Sequence, residues 1–373
     1  MKIYLPKNQL NSRLRTIGKI IKRNATIAEM ECFKFDVKED GIEITGADTE
    51  GEMSTFLNCM IEDFEPSVFL VNSKTILDAL KELPEQPLNI EVTKSKESFN
   101  LKLKYHNGLF EFVATKADLF PSMREVDSPV LATLKASLLT QAFRTVSKFT
   151  GTDDLRPILT GVSISSKDNN ISFAATNGNK MAVYEDKAGN ELKDFKFVVA
   201  NKCVGIISGL LQDDDSEITF EIGVNNFKFT VSDYQIRYRL TEGVYPNYRA
   251  VIPKSFTQNV VVSTSDILSA IKRVSVFSSD ATKTIIMNIG ESILEISAQD
   301  IDFLRSANET LHVENDGSPI KIGFNSNFIL DVFSSIEEEK AELHLTDPSK
   351  AVIVHPLNDR RTTILIMPVL INN

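Results

Sequence analysis

Lysine and arginine recur along this chain at a fixed spacing, and they are the side chains that neutralise phosphate without reading a base. Residues 15–19 read Arg-Thr-Ile-Gly-Lys and residues 144–148 read Arg-Thr-Val-Ser-Lys, an offset of 129; a further 129 residues on, Arg273 sits in Lys-Arg-Val-Ser. Residues 1–28 carry Lys2, Lys7, Arg13, Arg15, Lys19, Lys22 and Arg23 with no acid, and residues 135–149 carry Lys135, Arg144 and Lys148, again with none. The third segment has Lys272 and Arg273 against Asp266. On a helix Arg15, Lys19 and Lys22 fall at i, i+4 and i+7, one face. Sequence-independent, salt-sensitive attraction to phosphates is the chemistry this pattern supports. Its set is Arg15, Lys19, Lys22, Arg23, Arg144, Lys148, Lys272 and Arg273.

Bond-making chemistry has little support. His106, His312, His344 and His355 sit in strand-like or turn contexts without ligand partners at close spacing. No phosphate loop, nucleophile elbow or zinc-protease motif occurs, so neither a metal nor a cofactor is expected. Thr176-Asn-Gly-Asn-Lys180 reads as a hairpin turn, because Asn-Gly favours positive φ. Asp213-Asp214-Asp215 lacks alternating ligand spacing and reads as a solvated loop. An enzyme would have to assemble scattered groups such as Asp48, Asp153, Asp154 and His355.

The elements that must carry the basic residues recur with them. Leu10, Leu139 and Leu268 keep the offset of 129, giving three versions of one unit of about 125 residues, near the usual domain size. Each unit opens with this amphipathic segment. An alternating stretch then ends in a small or polar turn: Ile42 to Asp48, Ile171 to Asn177 and Leu294 to Asp300. Asn-led helical stretches follow, Asn72 to Leu83, Asn201 to Leu211 and Asn325 to Ile336, each Asn a candidate cap. Strand patterns and a turn or strand bearing Pro121, Pro246 or Pro368 close each unit. Two helices and many short strands per unit make the class α+β, with sheets packed on helices. The expected domains are residues 1–126, 127–253 and 254–373.

Composition bounds the rest. Hydrophobic residues make up 42% and phenylalanine numbers 23, enough for three cores. No apolar run approaches the roughly 18–20 residues of a membrane span; Ile364 to Ile371 contains Pro368 and reads as a closing strand. There is no secretory h-region, and Cys32, Cys59 and Cys203 lack metal or disulfide spacing, so a reducing cytoplasm is the expected location. The net charge of −10 speaks against nucleic acid only as a single number. Basic groups gather on the first helix of each unit, and acids gather elsewhere, as in Glu337-Glu338-Glu339. A positive lining inside an acidic shell suits a protein that surrounds DNA without gripping it. No zinc-finger spacing or helix-turn-helix signature suggests base reading. A structural three-domain scaffold is the other non-enzymatic reading, and it gives no reason for basic charge in every unit.

Several motifs carry a family resemblance. Arg156-Pro-Ile-Leu-Thr-Gly161, Ala175-Thr-Asn-Gly-Asn-Lys-Met-Ala182, Gly243-Val-Tyr-Pro-Asn-Tyr-Arg249 through Val251-Ile-Pro253, Ile322-Gly-Phe-Asn325 and Ile366-Met-Pro-Val369 occur in order. Together they resemble the bacterial sliding clamps, the beta subunits of DNA polymerase III. The resemblance spans the chain and is strongest in the second and third units. It implies a head-to-tail homodimeric ring of six domains around double-stranded DNA, with helices lining the hole. It further implies a non-catalytic processivity factor that meets the polymerase III alpha subunit, the clamp loader and other proteins bearing a clamp-binding peptide. The matching cleft positions are Leu159, Thr176, Gly178, Lys180, Met181, Pro246, Val251, Asn325, Phe328, Leu365, Met367, Pro368 and Val369. The matching ring-contact positions are Phe110 and Phe112 against Val276 and Phe277. The chain departs from the family at Asn179 and Lys180, where His-Arg is usual, and at Ala250 and Leu370, where arginines are common.

Overall fold

In the computed structural model each basic segment opens on a helix whose apolar stripe faces a sheet. All residues are described except Arg23, Asn24, Thr26, Glu97, Asp154, Asn190, Asn372 and Asn373. Among the described residues the six α-helices are α1 (Lys7–Ile17), α2 (Ser73–Lys81), α3 (Ala136–Val146), α4 (Asn201–Ser208), α5 (Thr264–Ser275) and α6 (Ser326–Ser334). They pack in pairs, α1 on α2, α3 on α4 and α5 on α6. The buried stripe of α1 is Leu10, Leu14 and Ile17; that of α3 includes Leu139, Phe143 and Val146; that of α5 includes Ile267, Ile271 and Val274. These are the i, i+4, i+7 positions of an amphipathic helix.

The third copy is one residue out of step with the sequence offset. Ile267, not the half-buried Leu268, takes the place of Leu10 and Leu139. The residue equivalent to Arg15 and Arg144 is therefore Lys272 rather than Arg273. A second correction concerns α1, which ends at Ile17 with Gly18 as its cap. Lys19 and Lys22 lie beyond it and do not extend a helical face from Arg15. A third concerns the caps. Asn72 accepts from the Thr75 N–H at 3.0 Å, and Asn325 accepts from the Asn327 and Phe328 N–H groups at 3.0 and 3.3 Å. Asn201 instead lies inside the first turn of α4, where Ala200 occupies the cap position and no side chain caps the helix.

The chain forms two compact units, one of residues 1–133 with 217–240, the other of residues 134–216 with 241–373. Among the described residues each is built on one large sheet, of thirteen strands in the first and twelve in the second. The units do not coincide with the repeats, because successive repeats are joined by antiparallel strand pairs. In the first unit strand Tyr234–Arg239 pairs with strand Gly51–Asn58, Ile236 opposite Met53. In the second, strand Lys180–Lys187 pairs with strand Thr362–Ile366, Met181 opposite Leu365. Phenylalanines fill the cores as their number suggested: Phe35 stacks on Phe69 with centroids 5.6 Å apart, and Phe143 meets Phe173 edge-on at 5.7 Å. No disulfide joins the three cysteines; burial pushes the Cys59 thiol up to about 11.

Candidate peptide cleft, basic helices and open strand edges

Strand Lys180–Lys187 alternates in the usual two-residue period, so Met181 and Val183 share one face of the second unit's sheet while Lys180 and Ala182 take the other. On the first face Met181, Val183, Ala174, Val198, Ile353 and Leu365 form an apolar floor closed by Tyr245 and Tyr248, with Ile158 and Ile252 packed against it. Met181 and Leu365 are buried in this floor; Leu159 is buried in the single turn Pro157–Thr160 next to Ile158, and Pro246, Val251 and Met367 stand exposed. The Tyr245 hydroxyl accepts from the Thr176 N–H at 3.1 Å and donates to the Ala174 carbonyl at 3.3 Å. Tyr248 hydroxyl lies 3.0 Å from Ser172 Oγ. Burial raises the Tyr245 pKa, so the phenol stays neutral and remains a donor. Neither tyrosine was among the sequence candidates, although both flank Pro246 in the Gly243 to Arg249 motif.

A second group of expected residues lies along the turn at the end of this strand. Thr176 Oγ1 donates to the Lys180 carbonyl at 2.8 Å and accepts from the Gly178 N–H at 3.0 Å. Asn177 Oδ1 accepts from the Asn179 and Lys180 N–H groups. Gly178 has φ of +95°, the left-handed conformation that the Asn-Gly pair led us to expect. The C-terminal segment runs against this turn: the Met367 N–H donates to the Asn179 carbonyl at 2.8 Å, and the Val369 N–H donates to the Gly323 carbonyl at 2.9 Å. Glycine is needed at 323, since a Cβ there would sit 2.7 Å from Ile371 Cγ2 and 3.0 Å from the Val369 oxygen. Pro368, Val369, Asn325 and Phe328 are half-buried here. The oxygen of Asn325 is occupied by its cap bonds, so its NH2 group is what it can offer a ligand.

Lys180 is not on the open face. Its side chain is 5% exposed and forms an ion pair with Asp331, and its ammonium donates to the Lys148 carbonyl at 2.6 Å. The rings of Phe149 and Phe328 lie 5.3 and 5.4 Å from the ammonium. A buried cation needs such partners.

The basic residues divide by their neighbours. Arg15, in the last turn of α1, and Lys19 and Lys22 beyond it are exposed, and no described residue forms an ion pair with them. Arg23 lies outside the described residues. Arg144 pairs with Glu337, and Arg273 grips both carboxylate oxygens of Glu309. Lys148 donates to the Ser334 carbonyl and hydroxyl at 2.8 and 3.0 Å. Burial lowers the Lys148 pKa, with nearby Lys272 and Lys180 adding to the effect against Asp331. Lys272 is exposed in the last turn of α5.

Two strands inside the sheets, Gly108–Lys116 and Arg305–Asn315, leave most of one side without a described partner. Strand Gly108–Lys116 pairs with strand Ser98–Tyr105 along its length, but on its other side only Thr115 and Lys116 have described partners. Phe110 and Phe112 are half-buried on this strand, and Leu109 and Val113 are exposed. Strand Arg305–Asn315 pairs with strand Ile293–Asp300 over residues 305–312, but with strand Gln258–Ser263 only over 313–315. Val276 and Phe277 stand exposed just after α5.

Among the described residues the acids named from the sequence do not come together in a cluster. Asp48 caps its own turn through the Glu50 and Gly51 N–H groups, Asp153 binds the Leu155 N–H and Arg156, and Asp154 lies outside the described residues. Asp214 accepts from Ser216 in an exposed loop. Among the described residues no group of histidine, cysteine and acid side chains could hold a metal ion. His344 and His355 do meet, with ring centroids 5.3 Å apart, a contact made by strand pairing and invisible in sequence spacing. Burial lowers the pKa of both.

A repeated helix pair on sheets, with an apolar cleft and basic helix ends, defines a multidomain binding protein. Three domain models of the DNA polymerase III beta subunit match it in order: the N-terminal domain over residues 1–123, the central domain over 133–247 and the C-terminal domain over 249–370. The chain belongs to the bacterial DNA polymerase III beta subunit family, the sliding clamps. The beta sliding clamp of Staphylococcus epidermidis is 23% identical over 369 residues, covering 97% of this chain and 96% of that protein. The Escherichia coli K12 beta sliding clamp is 23% identical over 368 residues, covering 99% of each. The crystal structure of the Pseudomonas aeruginosa DNA polymerase III subunit beta shares the fold with a TM-score of 0.91, covering 100% of both chains at 21% identity.

The buried lysine generates a prediction. Lys180→Met should lower stability by about 3 kcal/mol, the low end for breaking a buried pair because Asp331 keeps some solvent contact. Denaturant unfolding measures it; a loss below about 0.5 kcal/mol would show that the pair is not holding this region.

Proposed function

We propose that two copies of this chain close head to tail into a ring around duplex DNA and tether other proteins to it through the cleft of the second unit. The carrying observation is the recurrence of a basic residue in the last turn of the first helix of every repeat: Arg15, Arg144 and Lys272. A lining of this kind attracts phosphates of any sequence and leaves the ring free to move. The domains of the ring are residues 1–126, 127–253 and 254–373, six in the dimer. The unpaired lengths of strands Gly108–Lys116 and Arg305–Asn315 support association of copies, since a long unpaired edge is a template for another strand. Phe110 and Phe112 of one copy would meet Val276 and Phe277 of the next, and a head-to-tail contact closes if its rotation does. The protein performs no bond chemistry and needs no cofactor; it confers processivity on a polymerase. Partners are the polymerase III alpha subunit, the clamp loader and other proteins with a short clamp-binding peptide, in the cytoplasm. No described helix is long and apolar enough to cross a membrane.

In this reading the peptide's apolar end meets Leu159 and the floor of Met181 and Leu365, among Pro246, Val251 and Met367. Its polar end meets the NH2 group of Asn325 near Gly178, Phe328, Pro368 and Val369. Aliphatic and methionine side chains make such a site adaptable.

Reversing charge at Arg15, Lys19 and Lys22 should shorten retention on nicked circular DNA of any sequence. The log–log salt dependence should flatten by roughly 0.9 for each phosphate that is no longer neutralised. Reversal at Arg144 or Arg273 should do less, because each already has an acidic partner. Retention equal to wild type in the triple variant would remove the basic segment from the mechanism.

A Gln-Leu-x-Leu-Phe-type peptide should bind with a Kd on the order of micromolar, since a short segment buries little area and loses entropy on ordering. Deleting Met367 to Ile371 should abolish that binding in a fluorescence titration. Equal affinity for wild type and truncation would place the partner site elsewhere.

A further inference from the structure

The frame that holds the peptide cleft is built twice in this chain. Phe120-Pro121 with Arg124 and Val126 repeats the spacing of Tyr245-Pro246 with Arg249 and Val251. Strand Gly51–Asn58 has in the first unit the place that strand Lys180–Lys187 has in the second, and each pairs antiparallel with a strand of the following repeat. The equivalence reaches single hydrogen bonds. The Arg239 N–H donates to the Glu50 carbonyl at 2.8 Å, as the Met367 N–H does to the Asn179 carbonyl. Met30 is buried in the short turn Ala28–Glu31, as Leu159 is in the turn Pro157–Thr160, 129 residues later.

The two frames differ at the middle of the floor. Strand register places Arg237 opposite Glu52 where the second unit has Leu365 opposite Met181. Two apolar side chains are thus replaced by an ion pair, Arg237 Nη1 to Glu52 Oε1 at 2.8 Å. Glu52 is 7% exposed, and its other oxygen accepts from the Met123 N–H at 3.0 Å. A buried carboxylate needs such partners. The second terminal nitrogen of Arg237 is held by the exposed carboxylate of Glu125, at the place of Ala250 in the second unit. The next strand continues the change. Lys228 lies opposite Arg237 and binds Glu221 at 2.9 Å, whereas Ile353 lies opposite Leu365. At the rim Val126 is 8% exposed against 60% for Val251. The first unit therefore keeps the frame and lacks the apolar floor.

We infer that the Glu52–Arg237 pair, with Glu125 over it, is a specificity determinant: it closes the first unit's copy of the cleft to apolar-ended peptides, so that the second unit alone holds them. The inference rests on the peptide reading of the second unit's cleft proposed above. An apolar side chain laid on this floor strips water from the Glu125 carboxylate and gives none of the three charges a new partner. The same side chain laid on Met181 and Leu365 leaves water for an apolar surface. Discrimination between the two frames comes from a charged element at the wrong one as well as from contacts at the right one.

Apolar side chains of similar size often replace a buried ion pair without loss of stability, so full-length Glu52→Met/Arg237→Leu should fold. The test counts bound peptides by titrating a labelled Gln-Leu-x-Leu-Phe-type peptide at chain concentrations well above its Kd, with thermal melting as the check on folding. Wild type should take up one peptide per chain and the double variant two. Deleting Met367 to Ile371 should leave the wild-type chain with none and the double variant with one. A folded double variant that still takes one peptide at full length would overturn the inference, as would a wild-type chain that takes two. A double variant that melts well below wild type would also overturn it, because the pair would then be holding the fold together rather than selecting a ligand. If the truncated wild-type chain keeps its peptide, the second unit's cleft has been misassigned and the inference falls with it. Loss on truncation without gain in the double variant removes the inference alone.

Discussion

The pleat of strand Lys180–Lys187 is the constraint on which the second unit depends. Successive side chains must leave a strand on opposite faces, so one stretch of backbone serves two purposes. Met181 and Val183 complete the apolar floor with Leu365, which lies opposite Met181 on the neighbouring strand. Lys180 goes the other way, to Asp331 of α6 and the carbonyl of Lys148. The same strand pair also joins two successive repeats. A one-residue slip would put an ammonium on the apolar floor and a methionine against a carboxylate. Register, floor and bolt are therefore a single choice made by the fold.

Charge follows a similar economy. The chain has a formal net charge of −10, yet each repeat ends its first helix on a base. Position decides what a charge does, and so do its neighbours. Exposed ion pairs such as Arg144 with Glu337 and Arg273 with Glu309 are screened by solvent and hold weakly, so a phosphate can compete for either arginine. Arg15, Lys19 and Lys22 need no such exchange. A surface graded in this way favours loose, diffuse attraction over a fixed grip, which suits a protein that must stay on DNA and still move.

Much of this was legible in the residues because it rests on local rules. The threefold repeat, the helix pairs, the Asn72 and Asn325 caps and the positive φ at Gly178 all follow from periodicity and turn chemistry within a few residues. The features that were not legible depend on distant partners. Lys180 looks like a lining residue until Asp331, 151 positions away, claims it. Arg273 matches the charge signature by count, but the helix register gives that place to Lys272 and turns Arg273 to Glu309. Asn201 looks like its two counterparts, yet its helix starts one residue early. The contact of His344 with His355 and the partly unpaired sides of strands Gly108–Lys116 and Arg305–Asn315 come from strand pairing, and the support of Tyr245 for Thr176 comes from a hydroxyl 69 positions away, none of which a local window reports.

The central claim is that association of two chains makes the functional object, and the shape of the particle tests it most directly. Native mass measurement together with averaged electron-microscope images of the full-length protein should show two chains in a closed ring with a hole wide enough for duplex DNA. A single chain at micromolar concentration, or a dimer without a hole, would contradict the account.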